Sequence, residues 1–141
     1  MREEQVARSV LSWLSDRGWE ILDYDFPGGG TGRSFHVGEA QDKTSGLVIP
    51  DVIAIKGATL LVLENKAGDT RFDYEKIRKL RAAGFDRALH EAYPTRTFNR
   101  VVYGVAFGGP FRYADLAVSY GLDVVVQVAE DGTCSIVHGG I

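Results

Sequence analysis

Residues 47–66 read LVIPDVIAIKGATLLVLENK and contain two strongly apolar runs separated by a Gly-Ala pair at 57–58. A glycine at the first of two turn positions is what a type II′ hairpin turn requires. We therefore expect Lys56 to pair with Thr59 and the two runs to continue from there as antiparallel strands. The stretch predicts a β-hairpin at the centre of the fold.

Three charged side chains lie near the open end of this hairpin. The register places Asp51 directly opposite Glu64, and the period-two alternation of a strand puts Lys66 on the same face. The other residues of that face are aliphatic: Ile49, Ile53, Ile55, Leu60 and Val62. Two facing carboxylates repel each other unless a proton or a cation lies between them. Their oxygen atoms suit Mg²⁺ or Mn²⁺, and the alternative is a salt-bridge network in which Lys66 compensates both acids.

Segments on both sides of the hairpin follow helical or extended patterns. In chain order we expect a helix over 3–17, strands over 19–26, 47–56 and 59–66, a helix over 73–93, a strand over 100–108, a helix over 112–122, and strands over 123–129 and 134–138. The central runs are apolar on both faces. This pattern predicts an α/β fold in which helices cover the two faces of one sheet.

Length and composition predict one domain over residues 1–141. A chain of 15.4 kDa with 45% apolar and 25% charged residues is typical of a single globular core. The lone Cys134 excludes an intramolecular disulfide framework and a cysteine-based zinc cluster. No apolar run reaches the roughly 18 residues of a membrane-spanning helix, so we expect no membrane partner and a cytoplasmic location.

Charge is distributed unevenly along a chain whose net charge is −3. Residues 1–65 carry six bases and ten acids, whereas residues 66–100 carry nine bases and five acids. The basic segment starts beside Lys66 and is predicted to contact nucleic-acid phosphates through Arg71, Lys76, Arg78 and Lys79. A solvated helix face with acidic i,i+4 partners is the alternative interpretation.

The stretch 27–46 is rich in glycine and lacks a clear period. It resembles the end of a nucleotide-binding P-loop at 32–34, but Pro27 replaces the first required glycine and Arg33 replaces the lysine, so we reject that function. One interpretation is a segment that closes over substrate, with Arg33 and Ser34 contacting a phosphate or a base edge. The other is a disordered connector.

The hairpin residues carry a resemblance to a known family. Pro50-Asp51, followed after twelve residues by Glu64-Asn65-Lys66, resembles the PD-(D/E)xK motif of the restriction-endonuclease-like nuclease superfamily. The resemblance implies an αβββαβ core with a mixed central sheet. It also implies that Asp51 and Glu64 bind a catalytic Mg²⁺ or Mn²⁺, that the backbone carbonyl of Asn65 completes the shell, and that Lys66 orients or deprotonates the attacking water.

Members of that superfamily often carry a further acid on the first helix, for which Glu3 and Glu4 are the candidates. The alternative for both acids is a favourable interaction with the dipole at the start of that helix. The function expected from the resemblance is Mg²⁺-dependent hydrolysis of DNA by a small endonuclease of restriction or junction-resolving type. A homodimer is expected, because one small domain offers one metal site and double-strand cutting needs two. The alternatives are an RNA-cleaving or toxin-like nuclease of the same fold and a nucleic-acid-binding or assembly module that does not cut.

Overall fold

A computed structural model describes residues 2–26, 29–30, 35–36, 47–48, 50–67, 85–109 and 121–141. Two helices and nine strands fall within these ranges. In chain order they are α1 (Glu3–Asp16), β1 (Glu20–Phe26), β2 (Gly29–Gly30), β3 (Phe35–His36), β4 (Leu47–Val48), β5 (Val52–Lys56), β6 (Thr59–Lys66), α2 (Phe85–Ala92), β7 (Arg100–Gly108), β8 (Val124–Val128) and β9 (Cys134–Gly139).

Seven of the strands form one mixed sheet in the order β2-β1-β5-β6-β7-β8-β9. The first four strands of this order pair antiparallel, β6, β7 and β8 are parallel, and β9 returns antiparallel. The short strands β3 and β4 pair separately. The α/β class and the mixed sheet are thereby confirmed. The predicted helix over 73–93 is observed from Phe85 to Ala92, and its first part and the predicted helix over 112–122 lie outside the described residues.

The central hairpin has the register that its turn predicts. Pairing runs without interruption from Lys56 opposite Thr59 to Val52 opposite Leu63, and Gly57 has the positive φ of +60° that its turn position needs. The prediction of one continuous strand over 47–56 was wrong, because β5 begins only at Val52. Pro50 supplies the reason, since proline has no N–H to donate to a ladder.

Helix α1 covers one face of the sheet and α2 the other. The buried side chains of α1 are Val6, Ala7, Val10 and Leu14, and those of β5 and β6 on that side are Val52, Ala54, Leu61 and Leu63. Helix α2 buries Phe85 and Leu89 against the alternate residues Ile53, Ile55, Leu60 and Val62. The two apolar faces expected from the sequence are therefore both covered.

Helix α1 ends where the sequence predicts. Gly18 takes a positive φ of +88°, and the N–H of Trp19 donates to the carbonyl of Leu14 at 3.0 Å. This is the bond of a Schellman cap, in which a left-handed glycine lets the chain turn back over the last helical turn. The cap directs Trp19, which is 5% exposed, into the core on the α1 side.

Strand β1 contains a bulge. Ile21 pairs with Ala54, but Asp23 pairs with Ile53, the next residue along β5. Leu22 is therefore an extra residue in β1 that has no counterpart of its own in β5. A bulge of this kind reverses the inside-outside alternation of every residue beyond it. Asp23 accordingly faces α2, where its carboxylate accepts a hydrogen bond from the hydroxyl of Tyr93.

Cys134 begins β9 and lines an open groove of about 470 Å³ between α1 and the β8–β9 turn. Burial raises the pKa of its thiol from the ordinary value of 9.0 to about 11. The thiol of the unfolded chain ionises at lower pH than that of the folded chain, so between pH 9 and 11 the folded chain binds more protons than the unfolded one. The free energy of unfolding therefore falls as pH rises through that window.

We expect iodoacetamide to label folded Cys134 with a rate that reaches half its maximum at pH about 11. The thiolate is the reacting form, so the rate follows ionisation. Since the chain has one cysteine, mass spectrometry reports this thiol alone. Urea-unfolded protein serves as the control and should show a midpoint near 9.0. A midpoint near 9.0 in the folded protein would contradict the shift.

Candidate metal centre

Asp51 lies immediately before β5 and is tied to both neighbouring strands. Its Oδ2 accepts a hydrogen bond from the backbone N–H of Asn65 on β6 at 2.8 Å. Its own carbonyl accepts one from the N–H of Asp25 on β1, also at 2.8 Å. These bonds hold the carboxylate of Asp51 against the end of β6, where the other motif residues lie.

Glu64 is a carboxylate in an aliphatic setting. It follows Leu60 and Val62 by the alternation of β6, so it shares their face, the one that α2 covers. Only 2% of the residue is exposed. The hairpin register, continued by one residue beyond Val52 and Leu63, sets Asp51 opposite Glu64. Asp51 itself lies just outside the strand, so its position opposite Glu64 rests on this extension of the register.

Asn65 points to the opposite face, among the residues that pack under α1. It is 1% exposed, and neither atom of its side-chain amide has a hydrogen-bond partner in the described part of the chain. Its backbone N–H binds Asp51. Metal binding through the Asn65 carbonyl stays a prediction.

Lys66 is the last residue of β6 and approaches the first turn of α1. Its Nζ lies 4.0 Å from Oε1 of Glu3, and both side chains are 32% exposed. Glu4 instead pairs with Arg8 one turn further along the helix, at 3.0 Å. Of the two acids predicted as accessory residues, the structure therefore brings Glu3 to the motif. The period-two rule did not anticipate this contact, because a long side chain at a strand end can bend around the edge of the sheet.

The donor atoms of the site suit a hard divalent cation. Asp51 and Glu64 offer carboxylate oxygens, and Mg²⁺ characteristically binds through one or two carboxylates and keeps several waters. Within the described ranges, no three side chains of Asp, Glu, His or Cys converge closely enough to ligate one ion together. Metal binding by Asp51 and Glu64 stays a prediction.

The remaining predicted residues cannot be placed. The nucleic-acid contacts expected at Arg33, Ser34, Arg71, Lys76, Arg78 and Lys79 lie outside the described residues. They stay predictions.

Sequence reasoning did not single out Asp25. Its N–H bond to Asp51 makes it the cross-strand neighbour of that residue. The only signal in the sequence is a third acid in the strand segment EILDYDF, and the simple alternation of that segment assigns Asp25 to the face of Ile21. The bulge at Leu22 overturns that assignment.

Comparison with solved structures shows the fold. The chain is similar to the fdxN element excision controlling factor protein of Anabaena variabilis, with a TM-score of 0.54 and 13% identity over 96% of this chain and 99% of that one. An XisH family protein from Nostoc punctiforme overlaps less well, with a TM-score of 0.43 and 11% identity over 93% of this chain and 96% of that one. No protein-family model matches, and no curated protein is significantly similar in sequence. None of the helices within the described residues is long and apolar enough to cross a membrane.

Proposed function

We propose that this protein is a small metal-dependent endonuclease that hydrolyses phosphodiester bonds of DNA, with Asp51, Glu64 and Lys66 as its catalytic residues. The observation that carries the proposal is the hydrogen bond from the Asn65 N–H to Asp51 Oδ2. It joins the Pro-Asp half of the motif to the Glu-Asn-Lys half across two strands. The proposal needs the two halves of the motif to lie side by side, and this bond supports it.

Burial of Glu64 supports a cation rather than a surface salt bridge. An ionised carboxylate that is 2% exposed among aliphatic residues is unfavourable unless a positive charge compensates it. Lys66 could supply that charge, but its Nζ lies 4.0 Å from Oε1 of Glu3. One ammonium group would then have to compensate three carboxylates, those of Glu3, Asp51 and Glu64. The surplus negative charge favours a bound divalent ion.

Each residue has a defined part in the proposed reaction. Asp51 and Glu64 would hold Mg²⁺ or Mn²⁺, with the carbonyl of Asn65 as a third ligand, and the ion would supply neutralisation of the charge that develops on the phosphate. Lys66 would either orient the attacking water as its ammonium or, in the neutral amine form, accept its proton. Glu3 would orient the Lys66 ammonium. The scissile phosphate then has to lie beside the C-terminal end of β6.

The described fold and its neighbour agree with this proposal. The hairpin lies between β1 and β7 in a mixed sheet with helices on both faces, the arrangement expected of an αβββαβ nuclease core. The Anabaena protein of similar fold is described as controlling excision of the fdxN element, which is compatible with a role in DNA processing. A homodimer, which would provide two metal sites, is part of the proposal.

A calorimetric titration with Mn²⁺ tests the metal site directly. We expect the wild type to bind one Mn²⁺ per chain and Asp51→Asn to bind it about 100-fold more weakly or not at all, since loss of even an outer-shell partner costs about 10–100-fold. Asp16→Asn, which removes an exposed acid at the end of α1, is the matched control and should bind as the wild type does. Wild-type protein that takes up no Mn²⁺ would instead indicate the salt-bridge network.

A substrate panel distinguishes the alternative functions. Supercoiled, linear and branched DNA and single-stranded RNA would be incubated with the protein in Mg²⁺, in Mn²⁺ and in EDTA. We expect metal-dependent cleavage of DNA. Cleavage of RNA alone would favour the RNA-cleaving or toxin-like nuclease. Binding of DNA without cleavage of any substrate would favour the non-cutting module.

A further inference from the structure

We infer that Asp25 is a third acid of the proposed metal centre and acts as a positioning residue, accepting hydrogen bonds from water on the metal that Asp51 and Glu64 hold. The inference rests on the proposed function. It concerns a residue outside the Pro-Asp and Glu-Asn-Lys motif. It starts from the bond between the Asp25 N–H and the Asp51 carbonyl, 2.8 Å long.

Strand pairing sets the side chain of Asp25 beside that of Asp51. Tyr24 pairs with Val52, and the next residue of each strand in the same register is Asp25 and Asp51. Residues directly opposite each other in an antiparallel pair have Cβ atoms about 4.5–5.5 Å apart and point to the same face. The same rule relates Asp51 to Glu64. The two registers, each extended by one residue, therefore place Asp25, Asp51 and Glu64 in one row on the α2 side of the sheet, with Asp51 just outside β5.

The bulge at Leu22 is what brings Asp25 into this row. Before the bulge Ile21 packs on the α1 side, and after it Asp23 meets Tyr93 on the α2 side. Asp25, two residues beyond Asp23, lies on the α2 side as well, the side of Glu64. Bulges are frequent next to active sites, where they redirect a side chain.

Like charges directly opposite each other destabilise a sheet. The row contains two such neighbouring pairs, Asp25 with Asp51 and Asp51 with Glu64, and Glu64 is buried. A divalent cation at Asp51 and Glu64 would turn this repulsion into attraction. The absence of a convergent three-acid cluster among the described residues suits Asp25 to the outer shell rather than to direct ligation. Outer-shell carboxylates fix the orientation of ligands and water.

Asp25→Asn tests the role because it removes the charge and leaves the backbone bond to Asp51 in place. We expect calorimetry to show Mn²⁺ affinity about 10–100-fold below that of the wild type. Asp25→Glu should recover most of the loss. Glu130→Gln, an equal change of charge at an exposed position of the β8–β9 turn, should bind as the wild type does.

Thermal unfolding in EDTA separates this role from a purely structural one. Removing one of the opposed charges should leave the melting temperature of Asp25→Asn unchanged or higher in EDTA, whereas the stabilisation by added Mn²⁺ should shrink. If the wild type binds Mn²⁺ and the affinity of Asp25→Asn is within twofold of the wild-type affinity, the inference is overturned and the proposed function is left intact. Wild-type protein without any Mn²⁺ binding would remove the proposed function itself.

Discussion

Replacement of Lys66 by alanine should lower the rate of metal-dependent DNA cleavage by about 10²–10⁴-fold, the usual contribution of a positioned acid-base group. The ammonium group lies at the end of β6, with its Nζ 4.0 Å from Oε1 of Glu3. In the proposed reaction Lys66 orients the attacking water as its ammonium or, as the neutral amine, accepts its proton, and alanine can do neither. Mn²⁺ binding should persist, because Lys66 is not a ligand. The measurement is the single-turnover cleavage rate at saturating metal.

Lys56→Ala is the matched control for this prediction. Lys56 lies on the same hairpin, at the turn, and its Nζ donates to the carbonyl of Arg17 at 2.7 Å. Its removal deletes the same charge at the opposite end of the two strands and should leave the cleavage rate within about twofold, as expected of an exposed position without a special role. Equal rates for Lys66→Ala and the wild type would refute the assignment of the catalytic lysine.

Gly104→Ala should destabilise the fold by about 3 kcal/mol or more, at the upper end of what overpacking a core usually costs. Gly104 lies in β7 between Leu63 of β6 and Val124 of β8. An added Cβ would be 2.4 Å from Cγ1 of Val124, 2.5 Å from the Val124 carbonyl oxygen and 2.9 Å from Cδ2 of Leu63. The carbonyl belongs to the backbone of a central strand, so relief requires the sheet itself to shift.

Urea denaturation followed by circular dichroism measures this loss. Gly140→Ala provides the control, because an added Cβ at that position meets no heavy atom within 4 Å. We expect its unfolding midpoint to stay close to that of the wild type. A Gly104→Ala midpoint equal to that of Gly140→Ala would show that β7 and β8 can separate without loss of stability. It would then contradict the packing described for the parallel half of the sheet.

Local rules were sufficient for the hairpin and for the first helix. The Gly-Ala pair at 57–58 specified the register, since the turn type leaves one pairing of the flanking residues. The end of α1 was predictable from Gly18, which adopts a conformation that other residues disfavour. Runs that are apolar on both faces indicated a sheet between two helices. Each of these features depends on neighbours a few residues apart in the chain.

Contacts between distant segments were less predictable. Asp51 was expected inside a strand, but Pro50 ends the ladder there and the carboxylate binds the backbone of Asn65 instead. The choice between Glu3 and Glu4 could not be made from the sequence, because both lie in the first turn of α1. Only the path of α1 across the sheet decides that Glu3 meets Lys66.

The hairpin, its register and the presence of Asp51, Glu64 and Lys66 near one end of it follow from the order of the amino acids alone. Which further groups join them depends on packing between distant segments. Asp25 is the clearest case, because alternation along β1 assigns it to the α1 side and the bulge at Leu22 turns it to the other. The physical reason is that a bulge arises from the fit between β1 and β5 across the sheet, and no residue type within EILDYDF encodes it.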